Sequence, residues 1–356
     1  MPEDSYSAAS AELTTAGDDI QTTGGNTVTS SSRGAGFYFQ YAVVVIGIIG
    51  SVANALILYA MIASKVHRKQ LLIFNQNAFD LCSSLLLVII YTVKLCSIRL
   101  TGMLGYWLCI MIHSDSILWS SMNGSTINLM SITLERYIKV VHPRWSKKLL
   151  RKWVRCSAAA FAWTAGTVYN MALVFPTSTV VDGVCYGYLM WKSETAALVH
   201  GIWNYVSFFV LVIFIFVYCY GKILVVIRRQ SRVMAGHSGQ AASSTCQQTQ
   251  SHQIQSSVIK TMIFVSMFYV ITWTPSYVFY LVAHIKPGLT ILDTAYYVGM
   301  FLGFLYICAN PFIYAVKFNP VRRVLVGLIR WMKSLQVGEN VEMTVSGSIS
   351  RPHQRN

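Results

Sequence analysis

The chain has 356 residues, a net charge of +15, 54% hydrophobic residues and only 12% charged ones. A soluble domain carries about 25% charged and about 45–50% apolar residues, so this composition excludes a disordered chain and argues against a soluble enzyme. A nucleic-acid binder gathers its basic residues on one face of a soluble fold; here they fall in short runs between long apolar stretches.

In chain order, residues 1–36 are polar and rich in Ser, Thr and Gly, without the basic and apolar regions of a signal peptide. They read as an outer N-terminal tail, and the first span is expected to act as its own insertion signal. A bilayer-crossing helix needs about 20 mostly apolar residues. Seven stretches are candidates: 37–63, 71–96, 107–139, 153–175, 198–227, 257–283 and 290–316. The seventh reads as the weakest by hydropathy alone. The third and fifth are long enough to tilt or protrude. Segment 228–256 is rich in Gln and Ser and reads as a flexible inner loop. Residues 319–332 alternate basic and apolar at helical spacing, as a helix lying on a membrane surface does. The tail 333–356 is polar, and Thr344, Ser346, Ser348 and Ser350 are read as plain tail residues ahead of phosphorylation sites. The expected fold class is an all-α membrane protein: a seven-transmembrane helix bundle over 37–330 with a short amphipathic membrane-surface helix.

Orientation follows from Lys and Arg. The segments after spans one, three, five and seven hold 23 of the 28 basic residues. The other segments hold five, namely Arg33, Lys94, Arg99, Lys192 and Lys286. The N-terminus is therefore expected outside and the C-terminus inside, with a basic inner surface that attracts the anionic headgroups of the lipid bilayer.

Some residues are out of place in a membrane. An ionisable group within a span costs roughly 2.5–3.5 kcal/mol on insertion scales and marks a functional site by default. Asp80 sits in the middle of span two, and its expected partners are Asn54, Ser125 and Asn310. A carboxylate among neutral oxygens could hold a small hard cation, could be protonated, or could belong to a satisfied structural network. Glu135-Arg136-Tyr137 ends span three at the inner face. Pro275 and Pro311 each free a backbone carbonyl and kink a helix beside polar neighbours. Of eight cysteines, Cys82, Cys156, Cys219 and Cys308 read as buried thiols, and Cys246 lies in the inner loop. Cys109 and Cys185 are the best-placed outer pair for a disulfide, with Cys96 as competitor. No Cys-x-x-Cys pair or His cluster has zinc spacing.

Together these residues resemble the rhodopsin-like (class A) G-protein-coupled receptor family. The resemblance rests on Asn54, on Asp80 in Asn77-Ala78-Phe79-Asp80-Leu81, on Ser125 and Glu135-Arg136-Tyr137, on Trp163, on Trp273-x-Pro275 and on Asn310-Pro311-x-x-Tyr314. It implies a multi-pass plasma-membrane receptor rather than an enzyme. Its implied partners are an extracellular ligand and a heterotrimeric G protein, with arrestin and a receptor kinase as further ones. No cofactor is implied beyond a sodium ion. Asn54, Asp80, Ser125 and Asn310 would form the sodium pocket that favours the resting state. Trp273 would sit beneath the ligand, Pro275 would be the pivot for outward swing of span six, and Asn310-Pro311 would complete the switch. Glu135, Arg136 and Tyr137 would face the G protein, with Tyr220 and Tyr314 rearranging toward it.

The chain also departs from that family. Cys109 lies 27 residues before Arg136, about two more than usual, so the outer end of span three is expected to be shifted. Val212 stands where span five usually has a proline, so a straighter helix is expected. Tyr269 replaces the usual phenylalanine, and Thr272 the usual cysteine. Gln255 stands where some members carry an acid that locks Arg136, so raised basal signalling is expected. Phe304 stands where retinal-binding members carry a lysine, and Leu118 where amine receptors carry an aspartate. Asp115 is nearly one turn further out and reads as an ordinary loop-edge carboxylate ahead of one that meets a cation at the pocket mouth. The expected ligand pocket is lined by Asp115, Leu118, Trp119, Met122, Asn204, Phe208, Trp273, Tyr277, Tyr280, Met300 and Phe304, aromatic with few charges, with His200 and His284 at its rim. A neuropeptide-like ligand is the leading expectation and a neutral or melatonin-like small molecule the second. The alternative of a different class is an ion-coupled transporter or channel. Against it, the sequence shows neither paired repeats nor a row of pore-lining charges.

Overall fold

The computed structural model describes residues 28–96, 98–236, 245–285, 293–317, 321–328 and 330, with side chains described except in 28–35, 231–236, 245–257, 293–294 and 316–317. The tail before residue 28, the tail 333–356 and the side chains of Cys246 and Gln255 lie outside the described residues.

Seven long helical stretches make the bundle. The first four run Val28–Ala63, Leu71–Leu95, Ser116–Val141 and Lys152–Thr177. The fifth joins Glu194–Tyr205 to Leu211–Gly236 through a π turn, and the last two are Thr245–Ile285 and Asp293–Lys317. Six of them contain a segment long and apolar enough to cross a membrane. The one that falls short is the third, not the seventh as its hydropathy suggests. The reason is position. The third helix buries Ser116, Ser120, Ser121, Asn123, Ser125, Thr126, Asn128 and Thr133 among its neighbours. A helix walled by protein can be polar where one walled by lipid cannot. The first helix shows the opposite, exposing Val45, Ile49, Val52, Leu56 and Tyr59. The apolar outer surface departs from the soluble arrangement, as a bilayer requires, while the core between the helices remains largely apolar.

Span six starts earliest against expectation, at Thr245 within the segment read as a flexible inner loop, while span three differs in kind from the expected 107–139. A helix at Gly102–Leu108 passes into a π turn, Cys109–His113, and then through Asp115 at φ 59 before the helix restarts at Ser116. The wide turn and the left-handed step take up the extra length between Cys109 and Arg136. Aspartate is among the few non-glycine residues that visit this conformation. Span five lacks the proline and carries a π turn, Val206–Val210, a feature at which helices commonly kink. The sixth and seventh helices continue through Pro275 and Pro311.

A hairpin absent from the expected all-α fold lies at the end of the bundle where span three begins, the end expected to face outward. Thr179–Val181 pairs antiparallel with Val184–Tyr186, with Val180 opposite Cys185. Its turn is Asp182-Gly183, at φ 51 and 82, the positive-φ pair of a tight hairpin. The Cys109–Cys185 disulfide ties it to the outer end of span three, while Cys96 is exposed and free. Cys219 and Cys308 are buried, Cys82 is half-buried, and Cys156 is exposed on the outward face of the fourth helix rather than buried.

Helices three and four approach closely because glycines face each other. A methyl group on Gly166 would lie 2.5 Å from the Ser120 carbonyl oxygen and 2.6 Å from the Gly124 nitrogen. The surface segment expected over 319–332 is helical at 321–328, with Val321 buried and Arg322 and Arg323 exposed.

Candidate functional site

Asp80 is fully buried at the centre of the bundle. Asn310 Nδ2 donates to its Oδ2 at 3.0 Å. Its Oδ1 accepts from Gln76 Nε2 at 3.4 Å, and the same nitrogen donates to Ser125 Oγ at 2.5 Å. Gln76 Oε1 in turn accepts from Asn128 Nδ2 at 2.8 Å, Asn128 Oδ1 from Asn75 Nδ2 at 2.9 Å, and Asn75 Oδ1 from Trp163 Nε1 at 3.0 Å. Asn54 does not bond Asp80. Its Nδ2 donates to the carbonyl of Gly50 at 3.0 Å and of Ile307 at 3.4 Å. Ile307 is the residue whose carbonyl Pro311, lacking an N–H, leaves without its helical donor.

Above this core lies an aromatic floor. Trp273 packs against Trp119 at 6.3 Å between ring centroids, against Tyr277 at 5.8 Å and against Tyr269 at 6.2 Å. Gly303 supplies the space beside the indole, where a methyl group would come within 3.1 Å of it. The rings continue inward from Tyr269 to Phe216 at 6.1 Å and from Phe216 to Tyr220 at 6.1 Å. Tyr269 also donates its hydroxyl to the carbonyl of Phe208 at 2.9 Å, inside the π turn of span five. Leu118, Met122, Phe208, Met300 and Phe304 are buried around this floor.

Toward the outside the site becomes polar. Tyr169 donates to Asn204 Oδ1 at 3.3 Å, and the His200 ring lies between the hydroxyls of Tyr169, 3.1 Å from Nε2, and Tyr280, 3.2 Å from Nδ1. Asp115 is not a free carboxylate. Lys94 Nζ donates to both its oxygens at 2.7 Å, and that ammonium sits 4.9 Å from the Tyr91 ring centre. In the loop above, burial pushes the Tyr188 hydroxyl's pKa up.

At the inner end, Arg136 donates to Gln70 Oε1. Glu135 lies 3.6 Å from Arg136 and accepts from Lys139 at 2.5 Å. Tyr220 places its hydroxyl 3.1 Å from both Thr133 and Ser266. Tyr314 is buried nearby, and Tyr137 turns outward to His142 at 3.3 Å. Among the described residues no three His, Cys, Asp or Glu side chains gather to hold a metal.

The model of the family described as 7 transmembrane receptor (rhodopsin family) matches residues 33–314. The chain belongs to the rhodopsin family of seven-transmembrane receptors. That family consists of signalling receptors, not enzymes. The receptor is similar to Melanopsin-B of Gadus morhua, 23% identical over 82% of this chain and 48% of that one. It is similar to galanin receptor type 2 of Mus musculus, 25% identical over 85% of this chain and 81% of that one. It is also similar to tachykinin-like peptides receptor 99D of Drosophila melanogaster, 24% identical over 68% and 49%. The chain spans about half the length of the melanopsins it matches.

Against the rhodopsin-family pattern, the structure brings Asp80, Ser125 and Asn310 together and adds Gln76. It gives Arg136 a partner in Gln70 and Asp115 a partner in Lys94. None of these three partners follows from the family motifs. One signal for Gln76 is present in the sequence: Asn75-Gln76-Asn77 is a run of three amides inside an apolar span. The hairpin has the Asp182-Gly183 signal as well.

Proposed function

We propose that this receptor sits in the plasma membrane with its N-terminus outside, binds a peptide-like extracellular ligand, and promotes nucleotide exchange on a heterotrimeric G protein. The observation that carries this reading is the continuous column of rings from Trp119 through Trp273, Tyr269 and Phe216 to Tyr220. It would connect the proposed ligand site to Tyr220, whose hydroxyl meets Thr133 on the helix that carries Arg136. A ligand that binds one arrangement of Trp119 and Trp273 more tightly than another shifts the whole column, since an equilibrium moves only by differential affinity. Span six would swing about Pro275, and Arg136 would leave Gln70 for the G protein. Arrestin and a receptor kinase are the proposed regulators of the active state.

A peptide is favoured over a small neutral ligand because the galanin receptor matches along most of both chains, and a second relative is named for tachykinin-like peptides. A Schiff-base ligand is disfavoured. The lysine position is Phe304, buried and packed on Phe39 and Tyr91 at 6.4 and 5.9 Å.

The test is a panel of G-protein dissociation sensors in cells, read at rest and against a peptide library, with Arg136→Ala at matched surface expression. The expected result is a peptide-dependent signal that Arg136→Ala abolishes. A signal that Arg136→Ala leaves unchanged overturns the coupling reading. Response to neutral small molecules alone overturns the peptide reading.

A further inference from the structure

The family pattern assigns a sodium ion to Asp80, and the amide nitrogens that meet both of its carboxylate oxygens do not fit one, although Asn310 Oδ1 is left without a donor among the described residues. A cation needs lone pairs directed at it. Here a side-chain nitrogen, Gln76 Nε2, contacts both of the oxygens expected to ligate the ion, 3.4 Å from Asp80 Oδ1 and 2.5 Å from Ser125 Oγ. The orientation of that amide follows from chemistry. Trp163 Nε1 can only donate, so Asn75 must present its oxygen to it. Asn75 then gives its nitrogen to Asn128, and Asn128 gives its nitrogen to Gln76 Oε1. The Gln76 nitrogen is left to face Ser125 and Asp80. Flipping it would set the Asn128 nitrogen against the Gln76 nitrogen and an amide oxygen against a carboxylate. Every donor in the chain points the same way, and the chain ends on the acceptor with the most lone pairs. On its second oxygen Asp80 meets another amide nitrogen, that of Asn310, at 3.0 Å.

We infer that the Gln76 amide occupies the place at Asp80 that the family pattern gives to sodium, so that this receptor's resting state is held by a built-in donor and is insensitive to sodium. The inference rests on the receptor reading for its consequence, and on the hydrogen-bond polarity from Trp163 to Asp80 for its substance. A neutral amide supplies two N–H donors without a net charge. It cannot be washed out or diluted, so the resting state does not track the sodium gradient across the membrane.

The experiment follows thermal unfolding of the full-length receptor in lipid nanodiscs, in sodium chloride against choline chloride at equal ionic strength. The wild type is expected to unfold at the same temperature in both salts. Gln76→Met keeps the side-chain length and removes the donor. It is expected to gain a sodium-specific rise of about 2 °C or more, which Asp80→Asn in the same chain removes. Gln76→Leu is the second variant, expected to behave alike. A sodium-specific rise in the wild type that Asp80→Asn abolishes overturns the inference, and this arm decides it even where both variants fail to fold. Two folded Gln76 variants that gain no sodium response also overturn it, because the amide is then not what excludes the ion. The readout is ion binding, not signalling. A failure here leaves the peptide-receptor reading standing, and a receptor silent on the G-protein sensors leaves this inference standing.

Discussion

Tyr269→Phe removes a single hydroxyl from the middle of the bundle. That hydroxyl donates to the Phe208 carbonyl at 2.9 Å, and its residue is 1% exposed. The carbonyl belongs to a π turn, where the helical ladder is widened. In the family pattern a proline stands at Val212 and a phenylalanine at Tyr269. This chain has lost the first and gained a hydroxyl at the second. We predict that the two changes compensate, with Tyr269 fixing the bulge in the proline's absence. The ring contacts to Trp273 and Phe216 survive the substitution, so the loss is that of one buried hydrogen bond, about 1 kcal/mol, rising to about 3 if the carbonyl stays unsatisfied. For a chain of this size about 1 kcal/mol moves the unfolding midpoint by about 2–4 °C. The bond also spans helices five and six. If it breaks when span six moves, its removal favours the moved state by about fivefold per 1 kcal/mol, and basal signalling rises accordingly. The assay pairs thermal unfolding with basal G-protein signal for Tyr269→Phe and for Tyr269→Phe/Val212→Pro. The double variant is expected to recover the midpoint. A midpoint unmoved in the single variant, or a double variant worse than the single, refutes the compensation.

Other variants test other parts of the structure. Gln70→Ala takes away the partner of Arg136 and is expected to raise basal signalling at matched expression; no rise means that Gln70 does not restrain the arginine. Lys94→Met strands Asp115, whose pair is only 18–19% exposed. The cost is expected to lie between about 1 kcal/mol for an exposed pair and about 3–5 for a buried one, so cell-surface staining should fall several-fold and recover with Asp115→Asn added. Gly166→Ala forces helices three and four apart and is expected to cost at least about 1–3 kcal/mol; normal surface levels and an unshifted unfolding midpoint would show that the helices give way freely.

The bundle was legible because lipid imposes a length and a composition on every span, and because Asp80, Arg136, Trp273 and Pro311 are conspicuous in apolar surroundings. Span three falls short of a lipid-facing composition because it is so enclosed that its serines and asparagines face protein. Partners were less legible than the charges they serve. Asp80 announces itself by the cost of burial, whereas Gln76 is neutral and gains meaning only from Asn128 and Trp163, which lie on other helices. Gln70 and Lys94 are likewise polar residues near span ends, where such residues are ordinary. The π turns carry no residue signature of their own. The first left a trace in the count from Cys109 to Arg136. The second left none, since the missing proline points the other way.

The left-handed Asp115 and the π turn before it behave like an expansion joint. Residues gained or lost between Cys109 and Ser116 change the angle and reach of the disulfide-tethered hairpin while the helix below restarts at the same residue. Insertions and deletions there would remodel the surface that meets the ligand without rotating Ser125 or Arg136 out of place. Under the proposed receptor reading, recognition and transmission would be separable along one helix, with the outer end free to change in length while the helix from Ser116 keeps its register.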